Sequence, residues 1–280
     1  MSAALQYLLP HHLLCRLVYL LTRSEHRWLK NLLIGAFVHC YAPDMSEALE
    51  SEPLSYPNFN AFFTRALREG ARPADPDPRR LVSPCDGTLS IAASARGHEL
   101  VQAKSHVYSL EALLAAQSDW VARFAGGLYA TVYLAPRDYH RVHMPLAGQL
   151  RDAWLVPGRL FSVNAATTAR VPRLFARNER VICAFEGEYG PFALVLVGAL
   201  FVGSMSTVWH GEVTPAAAGG VRRLVPRTAI NLWQPRGAEL GRFNMGSTVI
   251  LLLPAGARWE TGLQAGARLR VGADLGRMAP

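Results

Sequence analysis

From residue 81 onward the chain is written in short apolar runs rich in β-branched residues, at 81–83, 128–134, 193–202, 248–253 and 267–271, separated by glycine and proline. Such runs between turn-forming residues read as strands, so this region is expected to be a strand-dominated body. The chain before it has a different period. Residues 3–41 carry leucine and aromatic residues at helical spacing, with Leu13, Leu14, Leu17, Val18, Leu20 and Leu21 as an apolar stripe. A helix running unbroken through Ser24 would put Arg16, Arg23, Arg27 and Lys30 on one face, by steps of seven, four and three. A second helix starting at Ser24 would spoil that alignment. A basic face opposite a Leu, Trp and Tyr face is the pattern of a helix lying in a membrane interface. An amphipathic helix docked on a core carries the same stripe.

Residues 42–80 are rich in Pro, Asp and Glu around one short helical piece, FNAFFTRALREG at 59–70, and read as a connector. Residues 215–220, PAAAGG, read as a flexible loop. The expected class is therefore α+β, a strand-rich body, barrel- or sandwich-like, with N-terminal amphipathic helices. The expected organisation is 1–41 helices, 42–80 connector and 81–280 body.

Half of the 280 residues are apolar, enough to fill a sizeable core. The 29 Lys plus Arg against 21 Asp plus Glu leave a net charge of +8, which favours anionic partners, nucleic acid or acidic lipid headgroups, without choosing between them. Cys15, Cys40, Cys85 and Cys183 form no C-x-x-C pair, which argues against a zinc knuckle, a thioredoxin-type site or a dense disulfide framework and for a reducing compartment. The N-terminus lacks the basic start, apolar run and small-residue cleavage site of a signal peptide, so a cytoplasmic address is expected. No apolar run reaches the roughly 18 to 20 residues of a spanning helix.

Three segments bear chemistry. In GRFNMGSTVILLLP, 241–254, flexible Gly246 precedes Ser247 and Thr248 at the mouth of an apolar strand. A serine hydroxyl held against the preceding carbonyl can attack it, shift the peptide to an ester and then eliminate, leaving dehydroalanine that hydrolyses to ammonia and a pyruvoyl group. The same three residues also make an ordinary turn into a strand. PRDYHRVHMP, 136–145, presents His140 and His143, side chains poised to move protons near neutral pH. As a zinc site the pair lacks an obvious third ligand, so no metal is expected. SPCDGTLS, 83–90, puts Asp86 in a turn. Asp86, His143 and Ser247 together supply an acid, a base and a hydroxyl, a set defined by geometry rather than by sequence order.

These segments, with FNAFFTRALREGARP at 59–73, GRLFSVN at 158–164, LFARNERV at 174–181 and VGALFVGSM at 197–205, resemble the bacterial phosphatidylserine decarboxylase family over most of the chain after the N-terminal helices. The resemblance implies self-cleavage between Gly246 and Ser247, giving a β chain of 1–246 and an α chain of 247–280 whose Ser247 becomes the pyruvoyl cofactor. Met245 stands where the family motif has leucine, one flexible apolar residue for another. It implies Asp86 and His143 as the charge relay of cleavage and His140 as the histidine of decarboxylation. The pyruvoyl ketone would form a Schiff base with phosphatidylserine and release carbon dioxide and phosphatidylethanolamine, with no pyridoxal phosphate or metal. Further implications are an anionic membrane as partner, a peripheral site on the cytoplasmic side of the cell membrane, a homodimer of processed protomers and no nucleic acid. Arg137, Arg141, Arg222 and Arg223 are available to a lipid phosphate. The competing readings are a serine hydrolase using Asp86, His143 and Ser247, which lacks the G-x-S-x-G elbow, and a non-enzymatic basic module at a membrane surface.

Overall fold

A computed structural model describes residues 6–7, 9–73, 75–103, 106–200, 204–213, 219–225 and 232–279. The N-terminal stripe folds as two helices, α1 (His11–Thr22) and α2 (Arg27–Tyr41). The break has a local cause. The Thr22 hydroxyl bonds back to the carbonyls of Val18 and Tyr19, an alternative to helix continuation, and His26 has non-helical dihedrals. The single basic face of an unbroken helix is thereby corrected: Arg23 pairs with Glu212 and Lys30 donates to the Leu54 carbonyl at 2.7 Å. Residues 3–5 and 8 of the expected stripe lie outside the described residues. Leu13, Leu17, Leu20 and Leu21 of α1 and Trp28 and Leu32 of α2 are exposed.

Helix α3 (Phe59–Phe63) starts at Asn58, whose side chain accepts from the Ala61 N–H at 2.9 Å. The helical piece expected over 59–70 stops at Phe63. From there backbone pairing takes over, with Leu49 N–H bonded to Ala66 O and Arg68 N–H to Glu47 O, both at 2.9 Å, so residues 66–68 run extended beside 47–49. Ile34 and Phe37 of α2 pack with Tyr56, Phe59, Phe62 and Phe63 into a small aromatic core. Met245 touches both this core and the large core of the body.

The body holds strands β1 (Gly87–Ser94), β2 (Leu128–Leu134), β3 (Arg141–His143), β4 (Gly148–Val156), β5 (Arg180–Gly187), β6 (Gly190–Val197), β7 (Met205–Thr207), β8 (Glu239–Phe243) and β9 (Ser247–Leu253), with shorter strands between them. A nine-stranded antiparallel sheet has the order Arg222–Arg223, β4, β5, β6, β9, β2, β1, Arg268–Leu269, with Trp233–Gln234 also on β4. Its two outer members do not pair with each other, so the sheet is open rather than a closed barrel. A second sheet of four runs Gly211–Val213, β7, β8, β3. The architecture is α+β. The run expected at 193–202 is strand up to Val197, and residues 201–203 lie outside the described residues, as do 215–218 of the expected loop.

Strand β9 is buried at every position, which matches its unbroken apolar sequence, as expected for a strand covered on both faces. It pairs with β2 along its whole length, from Ser247 opposite Leu134 to Leu253 opposite Leu128, and with β6 from Thr248 opposite Val197 to Leu252 opposite Ala193.

Candidate active site

Strand β8 reaches β9 through Asn244, Met245 and Gly246. Asn244 is fixed on three sides: its N–H bonds to Ser204 O at 3.0 Å, its Nδ2 donates to Ser204 Oγ at 2.6 Å, and its carbonyl accepts from Asn60 Nδ2 at 3.1 Å. The short bend is thus pinned before the chain enters the sheet at Ser247. Gly246 does not take a left-handed φ, so the strained backbone that glycine would permit is not used. What its missing side chain leaves is room. A Cβ there would stand 3.6 Å from His140 Nε2 and from Leu134 O.

His140 is fully buried, and Phe63 lies over its ring at 4.0 Å between centroids. Its Nδ1 lies 2.7 Å from the Asp138 carbonyl. A carbonyl only accepts, so Nδ1 carries the proton and Nε2 keeps its lone pair. That Nε2 is buried with no partner among the described residues, and so is Ser247 Oγ. Burial, aided by Arg65, lowers the His140 pKa to about 3, so the imidazole is neutral at physiological pH. Gly246 and Ser247 close one end of a cavity of about 240 Å³ whose walls include Phe37, Tyr41, Phe63, Tyr133 and Met245. The cavity runs from the second N-terminal helix to the Gly–Ser bond.

His143 is placed differently. Its Nδ1 donates to Gly237 O at 2.8 Å, so its Nε2 accepts from the Tyr139 hydroxyl at 3.1 Å. Burial lowers its pKa and raises that of Tyr139 to about 12, which keeps the phenol a donor. Asp86 accepts from the Val271 N–H at 2.8 Å and from Arg72 Nη2 at 2.8 Å. Among the described residues no hydrogen bond joins Asp86 to His143 or His143 to Ser247. Their link is through the backbone: the His143 N–H bonds to Pro84 O at 2.7 Å, two residues before Asp86. The structure therefore brings His140 to Gly246 and Ser247, and links His143 to the Asp86 turn only through the Pro84 carbonyl. Sequence reasoning missed Tyr139 and Phe63, although both lie inside the segments it singled out.

Fold and site define a protein with a neutral, bare imidazole and a buried serine at one glycine–serine bond, reached by an apolar cavity. A family model described as phosphatidylserine decarboxylase matches residues 59–277, and one described as PSD matches residues 1–42. The chain is 50% identical over 275 residues to a protein of Methylococcus capsulatus (98% of this chain, 95% of that one). It is 51% identical over 274 residues to one of Azotobacter vinelandii (97% and 96%) and 51% over 254 residues to one of Alkalilimnicola ehrlichii (90% and 88%). All three are named phosphatidylserine decarboxylase proenzyme. The chain belongs to the phosphatidylserine decarboxylase family.

Proposed function

We propose that this chain is the precursor of a phosphatidylserine decarboxylase, cleaves itself between Gly246 and Ser247, and uses the pyruvoyl group so formed at Ser247 to convert phosphatidylserine to phosphatidylethanolamine and carbon dioxide. The observation that carries the reading is a buried, unpartnered His140 Nε2 facing Gly246 and a buried, unpartnered Oγ on Ser247, the next residue. Buried polar atoms of native proteins are usually satisfied, and each exception calls for an explanation, a catalytic role among them. In the cleavage step Ser247 Oγ adds to the Gly246 carbonyl carbon as its proton passes to a base. The C–N bond breaks to leave an ester, loss of the Ser247 α-proton expels the Gly246 carboxylate, and water then releases ammonia. A ketone at the new terminus supplies an electron sink for the carbanion left when carbon dioxide departs.

Asp86 and His143 act as the relay of cleavage, and His140 moves the proton at the reacting carbon during turnover. For His143 to accept the Ser247 proton, its hydrogen bond from Tyr139 must open. A second reading follows from the geometry: His140, the imidazole that faces Gly246, takes the Ser247 proton itself. The apolar cavity suits the glycerol and acyl portion of a lipid. No helix of the described residues is long and apolar enough to cross a membrane. The exposed leucines of α1 with Trp28 and Leu32 of α2 hold the enzyme peripherally on the cytoplasmic side of an anionic cell membrane, where processed protomers pair as homodimers.

Intact-mass measurement tests the core of the reading. The purified protein is expected as two chains, 1–246 and a small chain from 247 blocked at its N-terminus, and Ser247→Ala as a single inactive chain. Ser247→Ala protein that still releases carbon dioxide from phosphatidylserine would overturn it.

A further inference from the structure

A second cavity, of about 260 Å³, lies beside Asp86 and Tyr139 and is lined by five arginines, Arg65, Arg72, Arg137, Arg268 and Arg270, and four carboxylates, Asp44, Glu47, Asp86 and Asp138. The carboxylates are largely spoken for. Glu47 holds Arg72 at 2.7 Å and Arg270 at 2.8 Å, Asp86 holds Arg72, and Asp138 holds Arg268 at 2.6 Å. Asp44 accepts from the N–H and hydroxyl of Ser46.

Two cations remain. Arg137 is exposed on the cavity wall with no hydrogen-bond or ion-pair partner among the described residues. Arg65 is 3% exposed, and its Nε and Nη1 are buried with no acceptor. An unpaired buried guanidinium is costly, and a planar fork of N–H donors matches the oxygens of a phosphate. Of the other arginines available to a phosphate, Arg141 is held by Glu239 at 2.8 Å and Arg223 by Asp152 at 2.5 Å.

We propose that this cavity is a binding site for a phosphate-class anion, with Arg65 at its floor and Arg137 at its rim. Ala42, the residue that follows and caps α2, lines the same cavity. The site therefore opens next to the helix read above as lying on the membrane, and the phosphodiester of an anionic lipid headgroup is a source beside free phosphate. Only the lipid source rests on the proposed function.

The test uses full-length Ser247→Ala protein, so that binding is read without any dependence on cleavage or turnover. Calorimetry measures inorganic phosphate and, separately, monomeric short-chain phosphatidylglycerol, which has no amine to react. Lipid binding displaced by phosphate marks a headgroup site, and phosphate binding without lipid binding marks a free-phosphate site. Both support the proposal. Arg65→Lys keeps the charge but loses the fork and should weaken binding about tenfold, the scale of one charge-assisted hydrogen bond. Arg137→Ala, at an exposed position, should weaken it several-fold without touching the fold and decides the matter if Arg65→Lys is unstable. Binding of neither probe at millimolar concentration, or affinities unchanged in both variants, would overturn the site.

Discussion

Acidification should unfold this protein partly through one imidazole. Burial, reinforced by Arg65, takes His140 from 6.5 down to about 3 in the folded chain. In the unfolded chain the same ring takes up a proton as pH falls through about 6.5, whereas the folded chain refuses it until about pH 3. The unfolded state then binds more protons, so stability is fully present above about pH 6.5 and drains away between there and about pH 3, at up to about 1.4 kcal/mol per pH unit. From pH 7.5 to pH 5 the loss assigned to His140 is about 2 kcal/mol. His11 and His143 are also lowered by burial and steepen the same limb, so the measurement has to be a difference. Urea unfolding of uncleaved Ser247→Ala protein, with and without His140→Asn, would be followed at pH 7.5, 6 and 5. Asparagine can still donate to the Asp138 carbonyl but does not titrate. The double variant should start less stable and lose about 2 kcal/mol less on acidification. Equal losses in the two proteins would show that His140 is free to protonate in the fold, and the bare, neutral base at Gly246 would fall with it.

The two histidines separate by assay. His143→Ala and Asp86→Ala should accumulate uncleaved chain, while His140→Ala should cleave and then turn over about 10² to 10⁴ times more slowly; a His140→Ala protein that stays uncleaved beside a normally cleaving His143→Ala selects the second reading of the geometry. Trp28→Glu with Leu32→Glu should weaken binding to anionic vesicles tenfold or more, since each removes an exposed apolar anchor of about 1.5 to 3 kcal/mol, and salt should weaken the parent by screening its basic charge; unchanged sedimentation with vesicles would return α2 to a packing role. Gly241→Ala puts a Cβ 2.3 Å from the Ser206 carbonyl across the β7–β8 pairing and should lower stability by about 1 to 3 kcal/mol, read as a fall in melting temperature; an unchanged melting temperature would mean that the two strands part freely enough to admit a methyl group.

The strands were legible where burial and propensity agree. Residues 128–134 and 248–253 are apolar and β-branched, and they form neighbouring strands of one sheet within a residue of the expected bounds. The helix read over 59–70 failed after Phe63 because a local period says nothing about a distant partner: residues 47–49 supply backbone hydrogen bonds that 66–68 take instead of helix. At the site, the residues could be named from their segments, but their orientation could not. Whether His140 or His143 faces Gly246 depends on which carbonyl each Nδ1 finds, Asp138 or Gly237, and on a phenol reaching His143. Those are choices of tertiary structure made 94 residues apart for the His143–Gly237 bond.

Strand β9 begins at Ser247 and is hydrogen-bonded on both edges in the middle of the large sheet. A cut at its first residue leaves that lattice of bonds in place, so the severed piece stays where the intact chain put it. The thermodynamics of return are altered all the same. Before a cut, recovery from unfolding is a unimolecular event whose odds are independent of dilution; after it, recovery would be an encounter between two molecules, one of them the 247–280 piece led by an apolar strand prone to find copies of itself. On the proposed cleavage, folding would therefore have to be finished before processing, and the cleaved protein's lifetime would be set by how slowly its sheet opens rather than by how readily it would close again.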